Sequence, residues 1–316
     1  MNNGDPCRII AEETVMNTVT TIEEKRARRD TSRVTAFAVI TVIYIFAAAL
    51  GILVYRALPY GLFLSLLIAD VVATVLTFAF SVILGNASVY DPYWSVQPIV
   101  ILLGFVFGTD IALTPDKLLM LVAVLLWGIR LTANWAYTFH GLSHQDWRYT
   151  MLSEKCGAFY PIINFIGIHM VPTLVVFFCT LPAVYVIEND EPAKSALYII
   201  FFITALGSVV LQGASDIQMH KYRKARTTPF IRTGLWRHSR HPNYLAEILM
   251  WWSVGLYSVF AVGFEWYSLL GAVLNTVLFL SVSIPMADGR QSRKEGFAEY
   301  KSETRALLPI RRFGRK

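Results

Sequence analysis

Three short stretches hold most of the side chains able to do chemistry. The richest is Gly234-Leu-Trp-Arg-His-Ser-Arg-His-Pro-Asn-Tyr-Leu-Ala-Glu247, which runs straight into the apolar segment Ile248 to Val262. Pro242 suits the first turn of a helix, where its missing N–H would have been unpaired anyway. A helix is therefore predicted to start near His241, with its first N–H groups pointing back into the basic loop. Those groups, the positive end of the helix dipole and Arg237 and Arg240 would together form an anion site. Arg240, Tyr244 and Glu247 then fall at i, i+4 and i+7 on one face, and Asn243 and Glu247 are four apart. A membrane helix does not carry such groups into its apolar end without a partner, and a phosphorylated or otherwise charged cofactor is the partner that fits.

The second and third stretches are Asp91-Pro-Tyr-Trp-Ser95 and His140-Gly-Leu-Ser-His-Gln-Asp-Trp-Arg-Tyr149. Each puts a carboxylate close to a tyrosine, and a phenol held by a carboxylate is a proton donor in a water-poor site. The pairs nearest in sequence are Asp91 with Tyr93 and Asp146 with Tyr149. The first is preferred, because it borders two apolar segments between which a lipid could enter. The plainer alternatives are an interfacial aromatic belt for the first stretch and solvated loop residues for the second. His140 and His144 have i, i+4 spacing, but Gly141 and the polar crowding argue for a loop, and no metal site is expected. His169 is a lone histidine in an apolar run.

The elements that must position these residues are membrane helices. The chain has 316 residues, 55% hydrophobic and 16% charged, with a mean hydropathy of +0.49. That composition indicates an all-α polytopic membrane protein. Eight apolar segments are predicted, at about 34–55, 60–84, 94–108, 117–139, 162–187, 194–213, 243–262 and 265–287. The third is short, and so either tilted or re-entrant. Three scattered cysteines support neither a disulfide framework nor a zinc site, and the net charge of +6 reads as topology rather than nucleic-acid binding. With the N-terminus inside and the remote Arg8 set aside, 23 of the 28 Lys and Arg fall on the inner side, which predicts that both termini are cytoplasmic. The expected organisation is a polar N-terminus over 1–33, one transmembrane domain over 34–310 with its cofactor half at about 214–310, and a basic tail over 311–316.

Within the spans, Arg130 and Asn134 lie four apart, and an intramembrane arginine needs a counter-charge or a wet cavity. Asp216, His220, Arg223 and Lys224 follow at helical spacing where the sixth segment runs on past its apolar end. The tail, from Asp288-Gly-Arg290 through Arg293, Phe297 and Tyr300, alternates rings with charges. It is expected to be either an interfacial helix or a cover folded over the 234–247 loop.

Arg240-His-Pro-Asn-Tyr244 with Glu247, after Gly234-Leu-Trp236, resembles the signature of membrane steroid 5α-reductases and sterol reductases. Asp91-Pro-Tyr-Trp-Ser95, Asp146-Trp-Arg-Tyr149 and the tail from Ile284-Pro285 to Leu308-Pro309 are similar to a branch grouped with steroid 5α-reductase C-terminal domains. The resemblance covers about 85 to 310. It implies NADPH bound near Asp216, Arg223, Trp236, Arg240, His241, Asn243, Tyr244, Glu247, Arg290, Arg293 and Tyr300. At the position where the sterol reductases have a lysine, this chain has Met219, with Lys221 or Lys224 as substitutes. The steroid-binding carboxylate and tyrosine of the 5α-reductases have no counterpart here. The implied activity is NADPH-dependent reduction of a conjugated C=C bond in a steroid, sterol or other lipid, in the endoplasmic reticulum if the source is eukaryotic.

Arg-His-Pro-x-Tyr alone is shared with membrane methyltransferases that use S-adenosylmethionine. That alternative stays open, although the seven cations of 214–242 suit a phosphorylated cofactor better. Six histidines are too few for a di-iron hydroxylase. A lipid-binding or transport protein would be expected to show repeat symmetry and broken helices near the midplane.

Overall fold

The computed structural model describes residues 32–309. The polar segment before Ser32, including Lys25, Arg26, Arg28 and Arg29, and the basic tail beyond 309 lie outside the described residues. The structure is all-helical, with no strand among the described residues. Its elements are α1 Arg33–Ala57, α2 Leu62–Leu84, a 3₁₀ turn Ala87–Tyr90, α3 Tyr93–Gly108, α4 Pro115–Thr138, α5 Trp147–Cys156 and α6 Tyr160–Ile163. A π-helical segment Asn164–Met170 leads into α7 Val171–Glu188. Then come α8 Tyr198–Ala225, a 3₁₀ turn Gly234–Arg237, α9 Pro242–Ala261 and α10 Leu270–Leu278. A second π segment, Phe279–Ser283, joins α10 to α11 Ile284–Gln291, and α12 Phe297–Glu303 follows.

Seven stretches among the described residues are long and apolar enough to cross a membrane. The predicted third segment is α3, whose 16 residues rise only about 24 Å at 1.5 Å per residue, short of a ~30 Å hydrocarbon core. It is the one predicted segment that fails the length criterion, and Pro98 lies inside it.

The described chain divides into two compact units. The first comprises residues up to 91 with 138–170; the second comprises 92–137 with residues from 171 on. In the first unit, α1 buries one stripe, Ala36, Ile40, Ile43 and Ala47. Apart from Leu66, the buried face of α2 is small and polar instead: Ser65, Ala69, Asp70, Ala73, Thr74, Thr77 and Ser81. Val75, Val82 and Ile83 point outward and are exposed. Polar inside and apolar outside is the pattern of a helix whose outer solvent is lipid. A Cβ on Gly51 of α1 would lie 3.6 Å from the Ala73 side chain of α2, ordinary contact for small residues.

In the second unit the helices approach more closely. A Cβ on Gly271 of α10 would fall inside the backbone of Phe178 and Cys179 of α7. One on Gly128 of α4 would meet Ser95 O and Ile99 of α3 at 2.8 Å, beside the Ser95–Thr132 hydroxyl pair at 2.8 Å. Gly271→Ala therefore has no rotamer to move and must push α7 and α10 apart. It should cost about 1–3 kcal/mol, seen as a lower thermal midpoint in detergent, whereas Gly207→Ala, which meets open space, should be silent.

Candidate functional site

The first unit brings the second and third sequence stretches together. Asn86 Nδ2 donates to Leu142 O at 2.7 Å and His144 O at 3.0 Å. Gln145 Oε1 accepts from Ala87 N at 3.1 Å, and Ser88 Oγ accepts from Asp146 N at 2.8 Å. These bonds hold the 142–146 loop against the 86–88 turn. Asp146 then caps α5, accepting from Arg148 N at 2.9 Å, and pairs with Arg148 Nε at 2.8 Å. Its carboxylate is thus given to the helix start rather than to Tyr149. One turn into α5, the buried Tyr149 hydroxyl donates to Asp91 Oδ1 at 2.6 Å. A tyrosine–carboxylate pair is present, but it joins the two stretches crosswise. Tyr93 is a buried residue of the second unit. Withdrawal from water raises the Asp91 carboxyl to about 6, with the Arg148 charge and the Tyr149 hydrogen bond opposing the shift. His140 and His144 lie with ring centres 5.7 Å apart, and no group of three or more possible metal ligands occurs among the described residues.

In the second unit, α9 begins at Pro242 with His241 as N-cap, as the proline predicts. The tail does fold over the 234–247 loop. Arg240 N and His241 N donate to Arg305 O and Ala306 O, each at 3.0 Å. Ser239 Oγ donates to Ala306 O, and Tyr300 Oη to Trp236 O. The Arg240 guanidinium is buried and spans both oxygens of Asp288, with Nε and Nη2 donating to Oδ1 and Oδ2 at 3.3 and 2.8 Å, and Nη1 donates to Thr304 O. His241 Nε2 lies 3.0 Å from Asp288 Oδ1, and its ring stacks on Tyr244, which also meets Phe279. Phe297 and Tyr300 pack with Phe230 rather than facing an interface. Burial pushes the Tyr300 hydroxyl well above the usual phenol range.

In this structure the Arg240 guanidinium is engaged by Asp288, and the N–H groups of Arg240 and His241 by the tail carbonyls. Trp236, whose indole N–H donates to Ser215 O at 3.3 Å, His241 and Tyr300 likewise build the frame. Asn243 keeps a buried Oδ1 without a hydrogen-bond partner.

Glu247 is buried one helical turn further on. Trp127 Nε1 and Trp251 Nε1 each donate to it at 2.9 Å, and Gln212 Nε2 at 2.6 Å. Gln212 Oε1 accepts from Arg130 Nη2 at 2.5 Å, and Arg130 Nη1 reaches Asp216 Oδ2 at 2.7 Å. The intramembrane arginine thus has its counter-charge in Asp216 and reaches Glu247 through an amide. Trp127, Gln212 and Trp251 were not picked out from the sequence, and Asp288 was read there only as the start of the tail. The signal available was Trp251 four residues after Glu247, and an aspartate at the apolar end of a span.

Beside Arg130 opens a groove of about 440 Å³ between α4 and α8, lined by Arg130, Asn134, Asp216, His220, Lys221 and Lys224 among others. His220 Nε2 is 2.8 Å from Asn134 Oδ1, and its ring packs on Tyr137. Arg130 Nε is buried without a hydrogen-bond partner. Lys221 and Lys224 are exposed at the groove. Arg223 is exposed and does not line the groove, and Arg290 and Arg293 are exposed on and after α11.

A family model described as "protein of unknown function (DUF1295)" matches residues 77–304, a range that contains both tyrosine–carboxylate stretches, the groove and all of the loop–tail knot except Arg305 and Ala306. The chain belongs to the DUF1295 family. It is also 30% identical to the uncharacterized protein C594.04c of Schizosaccharomyces pombe, in a match covering 69% of this chain and 72% of the relative. No solved structure matches. This DUF1295 member is accordingly a helical membrane protein, whose chemistry has to be argued from its own residues.

Proposed function

We propose that this chain is an NADPH-dependent reductase of a conjugated C=C bond in an apolar lipid. The observation that carries the reading is the 2.6 Å hydrogen bond from the buried Tyr149 hydroxyl to Asp91. Reduction of an enone places negative charge on the carbonyl oxygen, and a phenol backed by a carboxyl group is suited to receive it. The cofactor, when bound, supplies a hydride to the β-carbon. This chain's part is to orient the lipid, keep water away and deliver the proton from Tyr149 Oη. Arg148, over the Tyr149 ring at 5.5 Å, adds positive charge beside that oxygen.

The residues fit the cofactor in the α4–α8 groove rather than at Arg240. Arg130, Lys221, Lys224 and His220 supply cations and donors for its phosphates, and the unpartnered Arg130 Nε is a free donor. S-adenosylmethionine has no phosphate to use them, which favours the reductase over the methyltransferase. The test is thermal stabilisation of the detergent-purified protein by NADPH, NADH and S-adenosylmethionine, followed by NADPH oxidation with a panel of enone lipids. Stabilisation by S-adenosylmethionine alone would sink the reading. A Lys221→Ala, Lys224→Ala double variant should bind NADPH about 10–100-fold more weakly, two charge-assisted contacts at about 1 kcal/mol or more each. The loss should shrink at high salt. Unchanged affinity would take the groove out of cofactor binding.

A further inference from the structure

The first unit holds a second group of buried polar atoms that the tyrosine–carboxylate pair does not use. Tyr160 Oη, Asn164 Oδ1 and His169 Nε2 are all buried without a hydrogen-bond partner. Asn164 is 6% and His169 0% exposed. All three come from one helix, at the point where it widens from α6 into the π segment 164–170. In a π-helix the repeat is i to i+5, so Asn164 and His169 lie on one face, and Tyr160 lies one α-turn before them. Three unpaired polar atoms at the junction of α6 and the π segment are an unusual expense, since each costs about 1–3 kcal/mol when nothing meets it.

The chemistry of the stripe says what would meet it. His169 Nδ1 lies 3.0 Å from the Asn164 carbonyl, so Nδ1 carries the hydrogen. The ring sits between Phe78 and Tyr90, with centres 5.2 and 4.6 Å away, walls that favour a neutral imidazole. Nε2 is then a lone pair. Asn164 Oδ1 is also an acceptor, and only Tyr160 brings a hydrogen. A ketone or ester would leave both acceptors unmet, and a carboxylate would set charge against them. An ammonium group would be a cation with no counter-charge in the stripe. A neutral hydroxyl meets more of the stripe than these do: it donates to one of the two acceptors, His169 Nε2, and accepts from Tyr160 Oη. Tyr160 also packs on the cluster of Ala87, Tyr149 and Ile168, and Tyr90 precedes Asp91, so the stripe adjoins the proton-donor pair within the same unit.

We infer that Tyr160, Asn164 and His169 form a recognition site for the free hydroxyl of a lipid alcohol. This rests on the lipid-substrate reading above. Its test measures binding with no cofactor present, so the two can fail separately.

The experiment uses the full chain in lauryldimethylamine oxide, a detergent without hydroxyls. Thermal stabilisation is titrated with dodecan-1-ol and with its methyl ether, which matches it in chain but cannot donate. The wild type should be stabilised by the alcohol and not by the ether. His169→Phe, which keeps a ring between Phe78 and Tyr90, should bind the alcohol about tenfold more weakly, the loss of one buried hydrogen bond. Tyr160→Phe, a milder change that removes one oxygen, should weaken it similarly and serves if His169→Phe does not fold. Equal stabilisation by alcohol and ether, no stabilisation by either, or alcohol binding unchanged in the variants would each overturn the assignment. No stabilisation by either would mean that water alone meets the stripe.

Discussion

Tyr149→Phe is expected to lower the turnover of enone reduction by about 10²–10⁴-fold, the usual range for losing a positioned proton donor, while the NADPH dissociation constant stays unchanged. The phenol is buried and spends its hydrogen on Asp91, whereas the cations proposed for the cofactor lie in the other unit. Tyr93→Phe, by contrast, should leave the pH profile intact. The profile follows from Asp91. With its carboxyl raised to about 6, Asp91 is protonated on the acid side and can give its own proton to Tyr149 Oη. The phenol hydrogen is then released toward the substrate oxygen. Above that pH the carboxylate holds the phenol hydrogen for itself. Turnover should therefore fall as pH rises through about 6, and Asp91→Asn, which cannot ionise, should flatten that limb. The same raised value predicts a stability trend of the same sign. The fold holds this proton more tightly than the unfolded chain, so the contribution is complete below about pH 4 and is lost as pH rises through about 6. Loss of cofactor affinity in step with turnover would remove Tyr149 from the donor role.

Asp288→Asn is expected to be the most destabilising single change in the second unit. Arg240 is buried against Asp288 with both carboxylate oxygens engaged, and His241 shares the same group. An amide in that place leaves a buried guanidinium without a counter-charge, at about 3–5 kcal/mol. The readout is a lower thermal midpoint together with faster proteolytic cleavage of the tail near Arg290, Arg293 and Lys294. Tyr300→Phe, which loses one hydrogen bond to Trp236 O, should cost about 1 kcal/mol. The double change Arg240→Met, Asp288→Leu should recover much of the stability, since an apolar pair of similar size often replaces a buried ion pair without loss. Recovery would identify the knot as a frame. An Asp288→Asn protein as stable as the wild type would show that the tail is held by something else.

The helices were legible because their apolar runs are long and their polar ends carry Pro242-type start signals. The run of α8 on through Asp216 and His220 to Ala225 was legible from helical spacing alone. The site was only partly legible. Sequence proximity suggested Asp91 with Tyr93 and Asp146 with Tyr149, yet the pair that forms is 58 residues apart. It was decided by Asn86 and Ser88 clamping a loop and by Asp146 serving as a helix cap. Arg240 read as a cofactor ligand because nothing local explains a buried guanidinium, and its partner, Asp288, is 48 residues away. The π segment at 164–170 carries no period that single-sequence reading detects, so His169 appeared as an ordinary interior histidine.

The knot between loop and tail also sets an order of events during synthesis. α9 can enter the membrane as soon as it is made, but the backbone donors of Arg240 and His241 wait for carbonyls of Arg305 and Ala306. At about 5–20 residues per second, that is a delay on the order of several seconds. Until Asp288, 48 residues on, has been made, a guanidinium destined for burial has no carboxylate to meet. Until its last segment emerges, the nascent protein carries an open latch, and shortened chains ending before Asp288 would carry it permanently. Cellular quality control would meet such chains as unfinished, even though every long apolar helix before α10 was already in place.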